Sequence, residues 1–101
     1  MNLTAQELRD KIDNKESFVV DIYADWCGPC KMFGPVMERV STQIPVQKIN
    51  VDENQDLAMR YSIRSIPTVV LVGDDGKEYA RQTGVQTENM LVEQYNNFAN
   101  G

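Results

Sequence analysis

Histidine is absent from this 101-residue chain. Without an imidazole, His-based general-base catalysis, Ser-His-Asp triads, haem attachment and nearly all familiar zinc sites are excluded. Cysteine is scarce. Only Cys27 and Cys30 occur, which is no disulfide framework of a small secreted protein. Positive charge is short as well: ten Lys and Arg stand against fifteen Asp and Glu, a formal charge of -5. The bases are scattered, so no basic patch for a phosphate backbone can be read and no nucleic-acid partner is expected. Apolar runs fall far below the ~20 residues that span a bilayer. The start, Met1-Asn2-Leu3-Thr4-Ala5-Gln6-Glu7, has neither the basic end nor the apolar stretch of a signal peptide. The resulting expectation is a soluble, cytoplasmic monomer with no membrane partner.

What is present suits one globular domain over residues 1–101. Hydrophobic residues make up 42% and charged residues 25%, ordinary values that exclude a disordered or collagen-like chain. A chain of this length buries roughly 60–70% of its unfolded surface, enough for one core. Thr4 with Glu7 reads as a capping box, Leu3 can staple onto Leu8, and Leu8 and Ile12 give a helix one apolar face up to about Asn14. Phe18 to Ala24 is β-branched and aromatic, apolar on both faces except at Asp21, as befits a central strand covered on both sides. A turn over Asp25 to Pro29 opens a second helix carrying Phe33, Val36, Met37, Val40 and Ile44, with a kink expected at Gly34-Pro35. A strand over Val46 to Asp52, a short helix over Gln55 to Tyr61 and a strand over Thr68 to Val72 follow. The turn Gly73-Asp74-Asp75-Gly76 then returns Glu78 to Thr83 as a hairpin partner. Thr87 caps a last helix that buries Leu91, Tyr95 and Phe98. The order α-β-α-β-α-β-β-α predicts a mixed sheet sandwiched by helices.

The chemistry concentrates at Trp26-Cys27-Gly28-Pro29-Cys30. Two thiols two residues apart at a strand-to-helix turn can close a small disulfide ring and reopen it. Cys27 falls at a helix N-terminus, where free N–H groups and the dipole favour a thiolate, and the thiolate is the nucleophile in disulfide exchange. Cys30, nearly a turn further in, is expected to be more buried, less ionised and placed to resolve a mixed disulfide. The spacing alone also fits half of a zinc site. With no second pair and no histidine to complete four ligands, that alternative survives as a site shared between two chains. Asp21 interrupts the apolar strand six residues before Cys27, on the face of Val19 and Tyr23. A carboxylate desolvated there has a raised pKa and can exchange a proton near neutral pH; the bland alternative is a solvated strand face. Ile66-Pro67-Thr68 places proline at a strand entrance, where it is tolerated. Since only about 5–6% of X–Pro bonds are cis, the residues alone do not argue for that isomer.

The stretch Val20 to Met32, together with Lys48-Ile49-Asn50-Val51-Asp52, Tyr61 to Thr68 and Gly84, resembles the thioredoxin family over about Phe18 to Phe98. The resemblance implies the α/β thioredoxin fold, a central mixed four-stranded sheet flanked by four helices, with a short fifth N-terminal strand left open. It implies a protein dithiol–disulfide oxidoreductase in which Cys27 attacks and Cys30 resolves. Asp21 would help deprotonate Cys30 through water, with Lys48 as its cationic neighbour. Pro67 would be a cis proline facing the disulfide, and Ile66 would offer backbone hydrogen bonds to an extended substrate. Trp26, Gly28, Pro29, Ile66, Gly84 and Val85 would form the flat apolar surface that substrates cover. The ligand count leaves no metal expected within one chain, and the resemblance further implies no bound cofactor, disulfide-containing substrate proteins, and reduction by a flavin-containing, NADPH-dependent thioredoxin reductase. Gly28-Pro29 between the cysteines suggests a reducing protein in electron transport and redox homeostasis. A binding module that clamps partners without turnover is the reading from another class.

Three positions depart from the family pattern. Tyr23 stands where many members have Trp, and Gly34 replaces a better helix former at up to ~1 kcal/mol. Only Met1 to Leu3 precede the first helix, so the N-terminal edge strand is absent or a stub, leaving a sheet edge that something must protect.

Overall fold

A computed structural model describes residues 3–100, the side chain of Asn100 excepted. Its elements follow the expected order: α1 (Ala5–Asp13), β1 (Phe18–Tyr23), α2 (Gly28–Ser41), β2 (Val46–Asn50), α3 (Gln55–Arg60), β3 (Thr68–Val72), β4 (Glu78–Thr83) and α4 (Glu88–Asn100). The four strands lie in the order β2-β1-β3-β4. β1 runs parallel to β2 and antiparallel to β3, and β3 runs antiparallel to β4.

Local signals explain the boundaries. In the capping box, the Glu7 N–H donates to Thr4 Oγ1 and the Thr4 N–H donates to Glu7 Oε1, each at 3.1 Å, which satisfies two of the donors a helix start leaves open. Leu3 and Leu8 are both fully buried in one cluster. α2 runs on through Pro35. It stops at Ser41, short of Ile44, whose N–H still reaches Val40 O at 3.0 Å and whose side chain is buried. β2 ends at Asn50 rather than Asp52 because the chain turns there: the Asn50 carbonyl accepts the N–H groups of Glu53 and Asn54, and its side-chain oxygen takes that of Asp52.

Strand alternation divides the core. Val20, Ile22, Val70 and Val72 face Leu8 of α1 and Leu57 of α3. Val19, Val69 and Leu71 face Phe33, Met37 and Val40 of α2 and Leu91 and Tyr95 of α4. Both faces are covered, as the double-sided apolar pattern of β1 and β3 requires. At the outer edge of β2 the Leu3 N–H donates to Lys48 O at 2.6 Å, so the segment leading into α1 caps that edge. Leu3 is not in a strand; the remainder of the short fifth strand falls on Met1 and Asn2, outside the described residues.

Candidate functional site

β1 delivers the chain through Ala24 and Asp25 to the start of α2, and that junction holds both sulfurs. Cys27 is the N-cap of α2, with Pro29 in its first turn. Cys27 and Cys30 are joined as a disulfide with Cα atoms 5.2 Å apart. The Cys30 N–H donates to Cys27 Sγ at 3.2 Å, a backbone donor aimed at the sulfur that would carry charge after reduction. Cys27 Sγ also lies 3.9 Å from Ile66 O.

The expectation that Cys30 is the more buried residue is corrected: Cys27 is 5% exposed and Cys30 8%. Both belong to one buried cluster with Ala24, against which Tyr23, Val51 and Ile66 pack. The two sulfurs differ instead in what surrounds them. Cys30 lines a cleft of about 450 Å³ shared with Asp21, Tyr23, Asp25, Gly34 and Lys48.

Asp21 is only 4% exposed, and its Oδ1 has no hydrogen-bond partner among the described residues. Burial pushes its carboxyl up from 3.8 to about 6, against the pull of Lys48 in the other direction. Lys48 is the register partner of Asp21 across β1 and β2. Its Nζ sits 5.2 Å from the centre of the Tyr23 ring, and among the described residues no ion pair joins it to Asp21.

The other expected residues gather at the same end of the sheet. The Ile66–Pro67 bond is cis, as the resemblance implied. The Gly84 N–H donates to Pro67 O at 2.8 Å, and Gly84 holds φ 91°, a conformation open to glycine at little cost. Trp26 and Val85 are exposed, at 68% and 49%; Gly28 and Pro29 are exposed, Ile66 and Gly84 half-buried. Pro67 itself is buried, so it underlies this surface rather than forming it.

The thioredoxin family model matches residues 1–97. The chain belongs to the thioredoxin family. It is 38% identical to a thioredoxin of Chlamydia pneumoniae, covering 86% of this chain and 93% of that one. A thioredoxin of Pseudomonas aeruginosa is 42% identical over 73% of this chain and 71% of its own length. Among solved structures, a mutant thioredoxin from Halobacterium salinarum NRC-1 superposes with a TM-score of 0.86 at 39% identity, covering 96% of this chain and 87% of its own. A chloroplastic thioredoxin z gives 0.85 at 28%, covering 99% and 94%. With its paired cysteines this thioredoxin-family chain is a dithiol–disulfide oxidoreductase.

Around the thioredoxin cysteines the structure adds a polar network that sequence reasoning passed over. The Trp26 indole donates to Asp52 Oδ2 at 2.8 Å. Asn50, 2% exposed, accepts the Asp52 N–H at 2.9 Å and donates to Asp25 Oδ2 at 3.4 Å. A buried amide thus ties the exposed Trp26 to the acid beside the Asp21 cleft. The available signal was Asn50-x-Asp52 at the end of a strand, a pattern favoured where a side chain takes over a turning backbone. Among the described residues no three His, Cys, Asp or Glu side chains converge to hold a metal ion, and no helix is long and apolar enough to cross a membrane.

Proposed function

We propose that the chain folds as one thioredoxin-like domain and reduces disulfides in partner proteins, with Cys27 as attacking and Cys30 as resolving cysteine. The observation that carries this division of labour is the asymmetry at the α2 start: a helix N-terminus and a backbone donor at Cys27, and the Asp21 cleft at Cys30. In the reduced protein, the Cys27 thiolate attacks one sulfur of the substrate disulfide and the other leaves as a thiolate that takes up a proton. The Cys30 thiol gives its proton to the Asp21 carboxylate, directly or through water. It then attacks Cys27 Sγ and releases the second substrate thiolate, which is protonated in turn. The substrate gains two electrons and two protons, and the Cys27–Cys30 disulfide closes.

Trp26, Gly28, Pro29, Ile66, Gly84 and Val85 form the surface over which the substrate segment lies, with Pro67 beneath it and Lys48 moderating Asp21. Recharging falls to an NADPH-dependent flavin reductase, which makes the chain an electron carrier. It works as a monomer in the cytoplasm, where reducing systems keep such dithiols supplied. Cys30→Ser is expected to trap a mixed disulfide through Cys27 from a pool of oxidised proteins, and Cys27→Ser to trap none. A Cys30→Ser protein that trapped nothing would refute the assignment.

A further inference from the structure

Beside the Ile66–Pro67 peptide, on the sheet face that carries α1 and α3, lies a second cleft of about 450 Å³. Its lining is Ser62, Arg64, Ser65, Thr68, Arg81 and Thr83: two guanidiniums, four hydroxyls and no carboxylate. In a chain with a formal charge of -5, a concavity of that composition runs against the rest of the surface. Its position follows from the sheet. Thr68 pairs with Thr83 and Val70 with Arg81 across β3 and β4. Thr68 begins β3 at the end where β1 delivers Cys27, since Ile22 is its partner. Ser65 precedes Ile66, whose carbonyl lies beside Cys27 Sγ, and Thr83 precedes Gly84, which bonds to Pro67 O. With consecutive Cα atoms 3.8 Å apart, the cleft begins a single residue from the backbone proposed to hold the substrate.

The two arginines are not equivalent. Arg81 is committed, its Nε and Nη2 donating to Glu78 at 2.8 and 2.7 Å and its Nη2 also to Tyr61 O. Arg64 is exposed and makes no ion pair or hydrogen bond among the described residues. Its planar fork of donors matches a carboxylate. The Thr68 hydroxyl is spent on Ser65 O at 2.6 Å, but those of Ser62, Ser65 and Thr83 have no partner among the described residues.

We infer that this cleft is a carboxylate subsite, taking an acidic side chain carried on the disulfide-bearing segment of the substrate protein, with Arg64 as the specificity-determining residue. The inference rests on the disulfide-exchange reading above, since binding at Cys27 is what brings a substrate segment within reach. An extended chain advances about 3.3 Å per residue, so an acid two or three positions from the attacked cysteine sits about 7–10 Å along the segment.

The test uses a set of disulfide-bonded peptides in which one Glu is walked through the three positions on either side of the attacked cysteine, with the all-Gln peptide as reference. Reduction is followed at low salt with the full-length wild type, Arg64→Gln and Arg9→Gln, the last removing the same charge on α1. The expected result is one position where Glu raises kcat/KM over the reference by about three- to fivefold, the upper part of the range for an exposed charge pair. That preference persists in Arg9→Gln, collapses in Arg64→Gln and fades with added sodium chloride. No favoured position, or a preference that survives Arg64→Gln, overturns the inference. So does saturable binding of inorganic phosphate without any preference among peptides, which would mark a free-anion site. If the all-Gln peptide were not reduced by the wild type either, the disulfide-exchange reading itself would fall, and the subsite with it.

Discussion

Replacing Asp21 with Asn isolates the cost of a buried charge behind the cysteines. In the folded chain the carboxyl titrates at about 6 against an ordinary 3.8, because burial penalises its ionised form. Between those two values the folded chain holds a proton that the unfolded chain has lost, so stability falls as pH rises through this window. Above about 6 both states are ionised and the penalty is constant. At about 1.4 kcal/mol for each tenfold, the interval amounts to about 3 kcal/mol. Asn keeps the volume but adds an amide beside an Oδ1 position that has no partner, and this desolvation cost offsets part of the gain. That offset does not depend on pH, whereas the carboxylate penalty does. Urea unfolding of the oxidised parent and of Asp21→Asn at pH 3.5 and 7.5 separates them. The advantage of the variant is expected to be about 2–3 kcal/mol larger at pH 7.5 than at pH 3.5. An equal difference at both pH values would refute the claim that Asp21 is charged and desolvated in the fold.

The same substitution is expected to lengthen the lifetime of the Cys27 mixed disulfide at pH 7 by about a hundredfold, the lower end of general-base effects, while leaving the first attack largely unchanged. Resolution rates identical to the parent across pH 6–9 would end the proton-acceptor role. Gly34→Ala should stabilise α2 by about 0.5–1 kcal/mol, raising Tm by roughly 4 °C, because a Cβ at that position meets nothing within 4 Å; a loss of stability by calorimetry would contradict it. Titration of the Cys27–Cys30 pair against thiol buffers should give a potential below the cytosolic glutathione poise of about −220 to −260 mV, and a value well above it would mean a protein that introduces disulfides.

Element identity was legible wherever the sequence pattern had a single physical solution. β3 and β4 fall where they were expected because Gly73 to Gly76 fixes the turn between an apolar run and an alternating one. Asp21 was legible as a buried acid because the residues around it are apolar on both sides of the alternation. Boundaries that depend on tertiary partners were not: β2 stops at Asn50 because its side chain takes over the turning backbone. The cis state of Pro67 was not readable from the residue itself, since proline at a strand entrance is compatible with either isomer, and only the family resemblance implied it. The cleft around Arg64 was invisible for a related reason. Ser62, Arg64, Arg81 and Thr83 are brought together by the β3–β4 register and by the loop after α3, and no local pattern encodes that pairing.

The error over the cysteines is the instructive one. Helix position ranked Cys30 as the deeper residue, yet both lie in one buried cluster and are about equally buried. Depth therefore does not set their roles. What separates them is polarity of surroundings: Cys27 receives a backbone N–H at the α2 start, which stabilises a thiolate. Cys30 opens onto a cleft whose buried acid titrates at about 6, which suits it to take up a proton near neutral pH. The proposed division of tasks therefore rests on one cysteine facing a donor and the other a base. Gly34 lines the cleft at Cys30, so a substitution there is expected to act on resolution before it acts on attack.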